Sequence, residues 1–462
     1  MTLAVIILAA GLGTRMKSSR PKVLHKLAGA PIISHVLNTA NKLEHSLCAI
    51  VHGKNGDLIK STTNSESLQW VEQSEQLGTG HAVNIAVTAL REKLTALKVT
   101  QILILYGDVP LVDVNDLSKL LSTTDADQLG LLTLNSSNPF GLGRIIRNKA
   151  DNTIIDIIEE KDADSQQKLI SEVNTGIFLL PYPMVAPWLQ NLKTNNNQHE
   201  YYLTDIIKQA VINKTTINSV TVSDQNSYRG INTLYQLSQA ERHYQFLYAL
   251  RLLEQGVNIK DPNRIDIRGT LTCADDVSID INCIFKDQVT LGHSCLIEPN
   301  CILKNVTIGN HVHIKANSII EDSIINDNCV IGPFARVRPQ TVLENNVNVG
   351  NFVEVKKSTI SEGSKVNHLS YIGDAIIGKN VNVGAGTITC NYDGFKKHQT
   401  IIGDNAFIGS NTSLVAPVTI GENSTIGAGS TICKDAPDNK LTLSRGKQTT
   451  IENWQRIKDN SE

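Results

Sequence analysis

A six-residue repeat of aliphatic residues in the second half of the chain restricts its fold more than any other feature. Aliphatic residues recur six positions apart in three blocks, Ile302 to Ile320, Ile331 to Val355 and Ile402 to Ile432. An α-helix cannot keep these residues on one face, because six residues rotate it by about 600°. Short strands separated by sharp corners can, since each inward aliphatic packs on its equivalent in the next coil. The repeat predicts stacked parallel strands at a spacing of ~4.8 Å.

Two segments interrupt this repeat. The first runs from Lys357 to Asp374 and contains His368, and the second runs from Thr387 to Thr400 and contains Asn391 and Tyr392. A regular stack of coils accommodates extra residues only as loops that project to one side. Because loops on a rigid scaffold often carry function, we expect any site in this half of the chain to use these two segments.

The chain begins with an apolar run that leads into a glycine-rich, basic loop. The run from Leu3 to Leu8 suits a strand that is buried on both faces of a parallel sheet. Gly11 and Gly13 let the backbone turn tightly and approach a ligand, and free N–H groups in such a turn bind anionic oxygens. The loop matches neither the dinucleotide G-x-G-x-x-G pattern nor a Walker loop. The basic residues that follow it are Arg15, Lys17, Arg20 and Lys22. This pattern predicts a nucleoside phosphate as ligand.

Strand-like and helical patterns alternate along the chain as far as Gly230. The strand-like runs include residues 48–51, 102–106, 130–134 and 176–180. This alternation predicts a mostly parallel sheet with helices on both faces, whose ligands bind at the carboxyl ends of the strands. A helical pattern then extends over residues 233–255 and predicts a rigid connector. We therefore expect three parts: a Rossmann-like α/β domain at 1–232, a linker helix at 233–255, and a solenoid domain with a polar tail at 256–462.

Composition argues against several classes of protein. The net charge of −2 argues against a nucleic-acid partner, and no apolar stretch reaches the ~18 residues of a membrane span. The first apolar run lacks a basic region before it, so we interpret it as the first strand of a cytoplasmic protein and not as a signal peptide. The eight cysteines form no C-x-x-C pair, which favours free buried thiols over a metal site.

Four residues of the first half suit nucleotidyl transfer, which needs a triphosphate cradle, cations near the α-phosphate and a metal bridge. Arg15 and Lys22 are the candidate cations, although they could be solvated loop charges. Asp108 ends a strongly apolar strand, where it could cap the next helix or bind Mg²⁺. Asn232 is the candidate for a second metal ligand.

A second glycine turn opens the helix that follows Gln73. The backbone of Gly78 and Thr79 can approach a flat base, and the Gln73 amide can pair with the edge of uracil. An ordinary helix N-terminus would explain the same pattern. Hydroxyl groups of a sugar need carboxylate and amide partners, and the residues that could supply a surface of this kind are Gly141 to Arg144, Glu159 and Asn174 to Gly176.

These motifs resemble known families. The stretch L-A-A-G-x-G-T-R-M followed by P-K-V-L is similar to the signature of sugar-phosphate nucleotidyltransferases, and the six-residue repeat resembles the hexapeptide-repeat acyltransferases. Over essentially its whole length the chain resembles the bacterial family of bifunctional N-acetylglucosamine-1-phosphate uridyltransferases/glucosamine-1-phosphate N-acetyltransferases. The resemblance implies a left-handed parallel β-helix, a homotrimer, and Mg²⁺ as cofactor.

The same resemblance implies two reactions and their substrates. An acetyl group passes from acetyl-CoA to glucosamine 1-phosphate, and a uridylyl group then passes from UTP to N-acetylglucosamine 1-phosphate with release of pyrophosphate. The product, UDP-N-acetylglucosamine, serves cell-envelope polymers such as peptidoglycan and lipopolysaccharide. The residues implied to contact UTP or the UDP-sugar are Leu8, Ala9, Ala10, Gly11, Lys22, Gln73, Gly78, Thr79, Tyr106, Gly107, Asp108, Gly143, Glu159, Asn174 and Asn232. Asp108 and Asn232 are implied as the ligands of Mg²⁺.

His368 is the candidate base of the second half. Amide formation from a thioester needs a base for the amine and donors for the oxyanion, and imidazole is suited to this because it titrates near the working pH. A lone histidine is more often a surface or packed residue. Glu354 is near enough along the chain to orient the imidazole, and Arg338, Lys356 and Tyr371 could bind a sugar phosphate.

The resemblance assigns these residues to a second site. It implies His368 as the catalytic base, and it implies that the sugar is bound by Arg338, Lys356, Tyr371 and Asn382. The implied acetyl-CoA contacts are Ala385, Asn391, Tyr392, Ser410, Ala428 and Arg445. Adjacent subunits of the trimer would share this site.

Two other functions use the same motifs. A monofunctional nucleotidyltransferase could carry the solenoid only for trimerisation, but a purely structural solenoid has no need of His368 or of the 387–400 insertion. A non-catalytic sugar-nucleotide sensor would have no need of Arg15, Lys22 and Asp108.

Overall fold

The computed structural model describes residues 2–54, 56–63 and 67–455. The chain folds into two compact units, and the division between them falls between Tyr244 and Gln245. The first unit is an α/β domain and the second is a parallel β-helix, which confirms the fold predicted from the two sequence patterns.

The described residues of the first unit form eleven strands. They are β1 (Leu3–Ala9), β2 (Lys26–Leu27), β3 (Ala30–Pro31), β4 (Leu47–His52), β5 (Gln69–Glu72), β6 (Gln101–Tyr106), β7 (Leu129–Asn135), β8 (Arg144–Arg147), β9 (Ile154–Ile158), β10 (Glu172–Pro181) and β11 (Ile217–Val222). The helices are α1 (Ile32–Ala40), α2 (Gly56–Thr63), α3 (Thr79–Ala89), α4 (Arg91–Ala96), α5 (Val114–Thr123), α6 (Val185–Gln190), α7 (Ile206–Ile212) and α8 (Leu234–Glu254), the last of which enters the second unit. Short 3₁₀ turns lie at Thr14–Met16, Lys22–Leu24, Gln167–Leu169 and Leu203–Asp205.

The main sheet of this unit is mostly parallel, as predicted. Its strand order is β11-β7-β10-β6-β1-β4-β5, and only β10 in this row runs antiparallel to its neighbours. Apolar side chains from both faces of the sheet form two separate cores. Because β1 is parallel to both β4 and β6, the carboxyl ends of these strands lie at one edge. The loops after Ala9 and Tyr106 therefore begin side by side.

Helix α8 contributes to both units. Its first half packs Leu237, Ala240 and Tyr244 against an apolar cluster of the first unit, whereas Ala249 and Leu252 belong to the core of the second. The periodicity predicts one helix over 233–255, and the structure has one over 234–254. Among the described residues no helix, α8 included, has the length and apolar character that crossing a membrane would require.

The second unit is a stack of short parallel strands. They are β12 (Asn258–Ile259), β13 (Ile265–Cys273), β14 (Ser278–Ile279), β15 (Cys283–Leu291), β16 (Leu296–Ile297), β17 (Ile302–Ile308), β18 (His313–Ile314), β19 (Ile319–Ile325), β20 (Val330–Ile331), β21 (Arg336–Val337), β22 (Thr341–Leu343), β23 (Asn348–Asn351), β24 (Glu354–Lys356), β25 (Thr359–Ile360), β26 (Lys365–His368), β27 (Tyr371–Gly373), β28 (Ala375–Ile377), β29 (Asn382–Val383), β30 (Ile388–Cys390), β31 (Thr400–Ile402), β32 (Phe407–Ile408), β33 (Ser413–Val415), β34 (Val418–Ile420), β35 (Thr425–Ile426), β36 (Thr431–Ile432) and β37 (Leu441–Thr442).

These strands form three faces around one apolar core. The first face contains β12, β14, β16, β18, β20, β23, β26, β29, β32, β35 and β37. The second face runs from β21 through β24, β27, β30 and β33 to β36, and the third runs from β22 through β25, β28 and β31 to β34. The longer strands β13, β15, β17 and β19 extend over both of these faces. All eight cysteines of the chain are free thiols, as predicted, and four of them are buried in this core: Cys283, Cys295, Cys301 and Cys329. The predicted burial is wrong for the partly buried Cys273 and Cys390 and for the exposed Cys433.

The prediction of an interruption between Lys357 and Asp374 is wrong. Strands β25, β26 and β27 lie within this segment and keep their register with the neighbouring coils. Val349 pairs with Ile331 in the coil before it and with Val366 in the coil after it. The coil from Val349 to Val366 is one residue shorter than the coil from Ile331 to Val349, because one of its corners has one residue fewer. The inward aliphatic residues stay paired. The six-residue spacing of the sequence is therefore lost at this point, although the stack of coils continues.

The second predicted interruption, Thr387 to Thr400, is confirmed for residues 391–399, whereas β30 stays paired with β27 and β33. Val383 pairs with Ile408 in the next coil, and the chain between them is much longer than the chain between Val366 and Val383. The additional residues form a loop between β30 and β31, in which Tyr392 and Lys397 pair as an antiparallel bridge. We call residues 391–399 the projecting loop.

Candidate functional site

Two cavities meet at the carboxyl edge of the sheet in the first unit. We call the first, of about 250 Å³, the glycine-loop cavity, and the second, of about 300 Å³, the Glu159 cavity. Thr79, Tyr106, Asp108 and Glu200 line both of them. A ligand that fills both cavities would pass across Asp108.

The predicted nucleotide contacts lie around these cavities, except for Gly107, and the candidate cation Arg15 lies outside them as well. The predicted residues that line the glycine-loop cavity are Leu8, Ala9, Ala10, Gly11, Lys22, Gln73, Gly78, Thr79, Tyr106 and Asp108. Those that line the Glu159 cavity include Gly143, Glu159, Asn174 and Asn232. Arg15 is exposed in the 3₁₀ turn Thr14–Met16 and lines neither cavity. Gly107 is also absent from both linings, and it is packed so closely that a Cβ there would lie 3.1 Å from Ala9 Cβ.

The two glycines of the first loop have different roles. Gly13 has a φ of +64°, and a Cβ on it would lie 2.7 Å from Lys22 Cβ, so this position requires glycine to fold. A Cβ on Gly11 would meet nothing within 4 Å. The space beside Gly11 is therefore open to the cavity that it lines, as expected where a backbone approaches a ligand.

Lys22 joins the two predicted metal ligands. Its Nζ donates to Asp108 Oδ2 at 2.5 Å and to Asn232 Oδ1 at 2.9 Å. The side chains of Lys22 and Asp108 are only 11% and 16% exposed, so this ion pair is largely shielded from solvent. The loop that carries Asn232 is fixed by a hydrogen bond from Ile231 N to the Asp108 carbonyl at 2.9 Å. Two hard oxygens that already share a cation form a donor set that suits Mg²⁺.

A metal ion at this point would need further ligands. Among the residues that the structure describes, no group of three or more His, Cys, Asp and Glu side chains could hold a metal ion. Magnesium commonly binds through one or two protein groups together with substrate phosphates and water. The pair of Asp108 and Asn232 fits this pattern.

Gln73 stabilises the second glycine turn. Its Nε2 donates to the Gly78 carbonyl at 3.2 Å and lies 3.1 Å from His81 Nδ1. Gly78 has a φ of +114°, and a Cβ there would lie 2.5 Å from the Tyr201 carbonyl oxygen. The turn is thus held close to the backbone of Tyr201. The buried Gln73 and the turn both line the glycine-loop cavity.

The Glu159 cavity presents groups that suit hydroxyls. Glu159 Oε1 accepts a hydrogen bond from Thr204 Oγ1 at 3.0 Å, and the buried Asn174 accepts one from Gly176 N at 3.0 Å. Burial raises the pKa of Glu159, and nearby carboxylates raise it further. Burial also raises the pKa of Tyr106, which keeps its phenol neutral. A carboxylate, an amide and a phenol around one cavity suit a sugar.

Arg144 does not line this cavity, contrary to the sequence-based expectation. Its side chain is buried, and Nη2 donates to Glu160 Oε2 at 2.6 Å. The same carboxylate oxygen accepts from Gly141 N at 3.1 Å. The pair of Arg144 and Glu160 therefore holds the loop that carries Gly143 against the cavity.

A group of lining residues that was not predicted from the sequence follows the three consecutive asparagines Asn195 to Asn197. These residues are Gln198, Glu200, Tyr202 and Thr204. Backbone hydrogen bonds from Tyr201 N to the Leu77 carbonyl and from Gly80 N to the Tyr201 carbonyl, both of 2.8 Å, attach them to the second glycine turn. The polar run before Tyr201 has no helical or strand period, so it gives no sign of this attachment.

His368 lies in a column of residues at one corner of the β-helix. Successive coils place five residues one above the other: Asn351, His368, Ala385, Ser410 and Ala428. Backbone hydrogen bonds connect each coil to the next; for example, the N–H of Leu369, which follows His368, donates to the Asn351 carbonyl. We call these five residues the corner column. Side chains beyond His368 are small, which leaves an open strip along the corner. Arg445 lies against Gly427 and Gly429, beside the end of this column.

The imidazole of His368 has a different partner from the predicted one. His368 Nδ1 lies 3.0 Å from Asn351 Oδ1 on the neighbouring strand. Glu354, the predicted partner, accepts a hydrogen bond from Arg338 Nη1 at 2.7 Å. Within the described part of the chain, Glu354 makes no hydrogen bond to His368.

The projecting loop lies beside the second face. The buried Asn391 donates to Asp374 Oδ2 at 2.6 Å and lies 3.5 Å from the Tyr371 hydroxyl. The neighbouring Lys356 lowers the pKa of Lys397, because two ammonium groups lie close together there. This pair of cations suits a phosphate. Asn382 lies on the first face, between Lys365 and Phe407, and so is not brought to this group within one chain.

Family models match both units. A model described as a MobA-like NTP transferase domain matches residues 5–167. The β-helix is matched by a GMPPB C-terminal domain model over 267–352, by a GlmU-like C-terminal hexapeptide model over 315–398, and by a bacterial transferase hexapeptide model of six repeats over 399–434.

The chain is also similar to curated proteins over nearly its full length. The bifunctional protein GlmU of Nitrosomonas europaea is 51% identical over 98% of both chains. That of Legionella pneumophila (strain Lens) is 50% identical over 99% of this chain and 98% of its own. That of Janthinobacterium sp. (strain Marseille) is 48% identical over 98% of both.

Proposed function

Since the chain belongs to the family of bifunctional GlmU proteins, it is a bifunctional transferase, and we propose which residues carry each of its reactions. It acetylates glucosamine 1-phosphate from acetyl-CoA, and it transfers uridylyl from UTP to N-acetylglucosamine 1-phosphate. A monofunctional nucleotidyltransferase with a purely structural β-helix is not favoured, because the matches to bifunctional relatives extend over both units.

Uridylyl transfer uses the two cavities of the first unit. The base and ribose of UTP lie in the glycine-loop cavity, and the sugar lies in the Glu159 cavity. A phosphate oxygen of the sugar 1-phosphate then attacks the α-phosphorus of UTP in line, and pyrophosphate leaves without a covalent enzyme intermediate. The observation that carries this proposal is that Asp108 lines both cavities and is paired with Lys22.

We propose Mg²⁺ as the metal of this reaction, and Asp108 and Asn232 would hold it. When bound, it would neutralise charge on the phosphates. The oxygens of these two side chains already share one cation, the Lys22 ammonium, which supports their role as a cation site. Lys22 is the protein cation for the phosphates, and Arg15, which is exposed in the 3₁₀ turn Thr14–Met16, is the second candidate.

Acetyl transfer uses the corner column and the projecting loop. His368 Nε2 accepts a proton from the amine as the nitrogen attacks the thioester carbonyl, and the imidazolium returns a proton to the departing thiolate. The sugar phosphate is bound by Arg338, Lys356 and Tyr371. The acetyl-CoA contacts are Ala385, Asn391, Tyr392, Ser410, Ala428 and Arg445, four of which lie along or beside the corner column.

We further propose that the chain is a homotrimer that works in the cytoplasm, where UTP and acetyl-CoA are available. Three apolar side chains support the assembly. Phe334, Phe352 and Leu369 are 50%, 56% and 64% exposed at consecutive coils of one corner. Leu369 follows His368 directly, so a subunit that covers this stripe would also approach the acetyl-transfer site. Asn382, on another face, is a residue that such a neighbour could supply.

One assay with two variants tests the division of labour. Thiol release and pyrophosphate release are followed separately with glucosamine 1-phosphate, acetyl-CoA, UTP and Mg²⁺. We expect His368→Ala to abolish acetyl transfer and leave uridylyl transfer from added N-acetylglucosamine 1-phosphate unchanged. Asp108→Ala should have the opposite effect. A folded variant that loses both activities would refute two independent sites.

A further inference from the structure

A hydrogen bond between neighbouring coils fixes the ring of His368. Strands β23 and β26 are parallel, and Asn351 is the register partner of His368. Asn351 Oδ1 lies 3.0 Å from His368 Nδ1. His368 is exposed, whereas Asn351 is partly buried at the foot of the corner column. One end of the imidazole is thus held by the scaffold, and the other end is free to face solvent or substrate.

We propose that Asn351 is a positioning residue for acetyl transfer, because its amide oxygen accepts the Nδ1 proton of His368. An oxygen acceptor selects the tautomer in which Nδ1 carries the proton and Nε2 carries the lone pair. Nε2 is then the atom that removes the amine proton. This inference rests on the proposed role of His368 as the base.

The surroundings leave this task to Asn351. Neither strand that borders β26 carries an ionisable side chain, since β23 reads Asn-Val-Gly-Asn and β29 reads Asn-Val. On β26 itself the other ionisable residue is Lys365, which is at the opposite end of the strand. Glu354, on the second face, is held by Arg338 at 2.7 Å. A carboxylate would stabilise the protonated form of the ring, whereas a neutral acceptor orients the ring without this effect.

The corner column also explains why this pair forms. Residues at the same corner of adjacent coils are separated by the spacing of β-strands, ~4.8 Å. Asn351 and His368 therefore meet directly, whereas the next position of the column is Ala385, which has no polar side chain. The imidazole has one polar neighbour below it and an apolar neighbour above it.

Two variants test the role of Asn351 in the full-length protein. We expect Asn351→Ala to lower kcat for acetyl transfer about tenfold, the effect of losing one hydrogen bond, with an unchanged KM for glucosamine 1-phosphate. Asn351→Asp keeps the shape and adds a negative charge, which favours the imidazolium. The acid limb of its pH–rate profile should therefore move to higher pH by about one unit. Asn348→Asp adds the same charge to the same strand and serves as the matched control.

A direct measurement accompanies the kinetics. In ¹⁵N NMR spectra, the ring signals of His368, assigned by their loss in His368→Gln, should report the Nδ1–H tautomer in the wild type and a mixture in Asn351→Ala. Circular dichroism and thermal unfolding of the same samples check that the β-helix of each variant is folded.

The outcomes separate this inference from the proposed function. If His368→Ala still acetylates at the wild-type rate, the assignment of the base is wrong. If His368→Ala is inactive but Asn351→Ala has a wild-type rate and tautomer, the base stands and the positioning role of Asn351 is refuted. A pH profile that moves equally in Asn351→Asp and Asn348→Asp would also overturn it, because the effect would then be one of general charge.

Discussion

The ammonium of Lys22 lies 2.5 Å from Asp108 Oδ2 and occupies the space between the two predicted metal ligands. Asn232 Oδ1 completes this arrangement at 2.9 Å. Both a bound metal and Lys22 would neutralise the same carboxylate, so they compete for it when no nucleotide is present. In the presence of UTP, the ammonium has the phosphates as alternative partners.

Lys22→Met should therefore affect metal binding and catalysis in opposite directions. Without nucleotide, we expect Mn²⁺ to bind the variant more tightly, by roughly tenfold, because a competing cation is removed. Uridylyl transfer should fall by about 10² to 10³, the usual effect of removing a group that stabilises transition-state charge. Mn²⁺ binding is measured by electron paramagnetic resonance. Lys26→Met, at an exposed lysine of the same segment, is the control. Weaker Mn²⁺ binding in Lys22→Met would contradict competition.

Glu159→Gln tests the buried carboxyl of the second cavity. Burial raises the pKa of Glu159 in the folded protein. The free energy of unfolding therefore decreases as the pH rises above the ordinary pKa of a glutamate, because the unfolded state loses its proton first. At pH 8 the neutral amide removes this decrease, and we expect unfolding at a temperature about 2–4 °C higher. Near pH 4 the two proteins should unfold alike, because the carboxyl is then protonated.

The same variant should bind the sugar phosphate less well. An amide oxygen can still accept the hydrogen bond of Thr204, but a neutral group makes weaker hydrogen bonds to sugar hydroxyls than a carboxylate does. We expect the KM for N-acetylglucosamine 1-phosphate to rise about tenfold. Calorimetry as a function of pH and steady-state kinetics measure the two effects. A variant that is less stable at pH 8 would show that burial does not govern this group.

The sequence predicts the sites that depend on strand ends. The apolar run before each loop predicts that Asp108 and the first glycine loop both follow the carboxyl ends of strands. They meet because β1 and β6 are parallel neighbours, which the sequence does not predict. The sequence does not predict the partners of Glu159. Backbone hydrogen bonds of Tyr201 hold Glu200 and Thr204 at the cavity. Almost any residue can make a backbone hydrogen bond, so the residue types along this segment do not indicate these bonds.

The β-helix shows the same limit. A six-residue period predicts inward positions such as Val349, but the length of each coil is set by pairing with its neighbour. Asn351 pairs with His368 because one corner between them has lost a residue. Three complete repeats of six would instead pair Asn351 with Leu369, the next residue along the chain. The contact between Asn351 and His368 therefore required the register of the folded chain.

Shortening the projecting loop should reduce acetyl transfer without unfolding the β-helix. Tyr392 and Lys397 pair across the loop, so a two-residue Asn-Gly turn can replace the four residues between them. The replacement removes Phe395, which is 92% exposed, and keeps Asn391 in contact with Asp374. We expect acetyl transfer to fall at least tenfold, while uridylyl transfer is unchanged. Unchanged acetyl transfer would mean that the loop beyond Asn391 has no part in the reaction.

The apolar corner of the β-helix carries two phenylalanines in a left-handed backbone conformation. Phe334 and Phe352 have φ angles of +57° and +55°, and their rings stack with centroids 5.3 Å apart. In earlier coils the same corner position is held by Asn300 and Asn317, as expected because asparagine tolerates this left-handed conformation better than other residues do. Bulky residues in a strained, exposed position indicate a surface that another subunit covers.

The double variant Phe334→Asn/Phe352→Asn tests this interpretation. Relief of the left-handed strain, about 1 kcal/mol for each residue, should approximately offset the loss of the stacked pair, about 0.5–1.5 kcal/mol. We therefore expect the folded chain to keep its thermal stability at low concentration, whereas the proposed trimer dissociates at concentrations at least tenfold higher than the wild type does. Sedimentation velocity across a dilution series measures the assembly. Phe140→Asn, at a phenylalanine of the first unit that is 79% exposed, is the control and should leave assembly unchanged. A double variant that assembles as the wild type does would exclude this corner from the subunit contact, since the two rings are the largest apolar groups there.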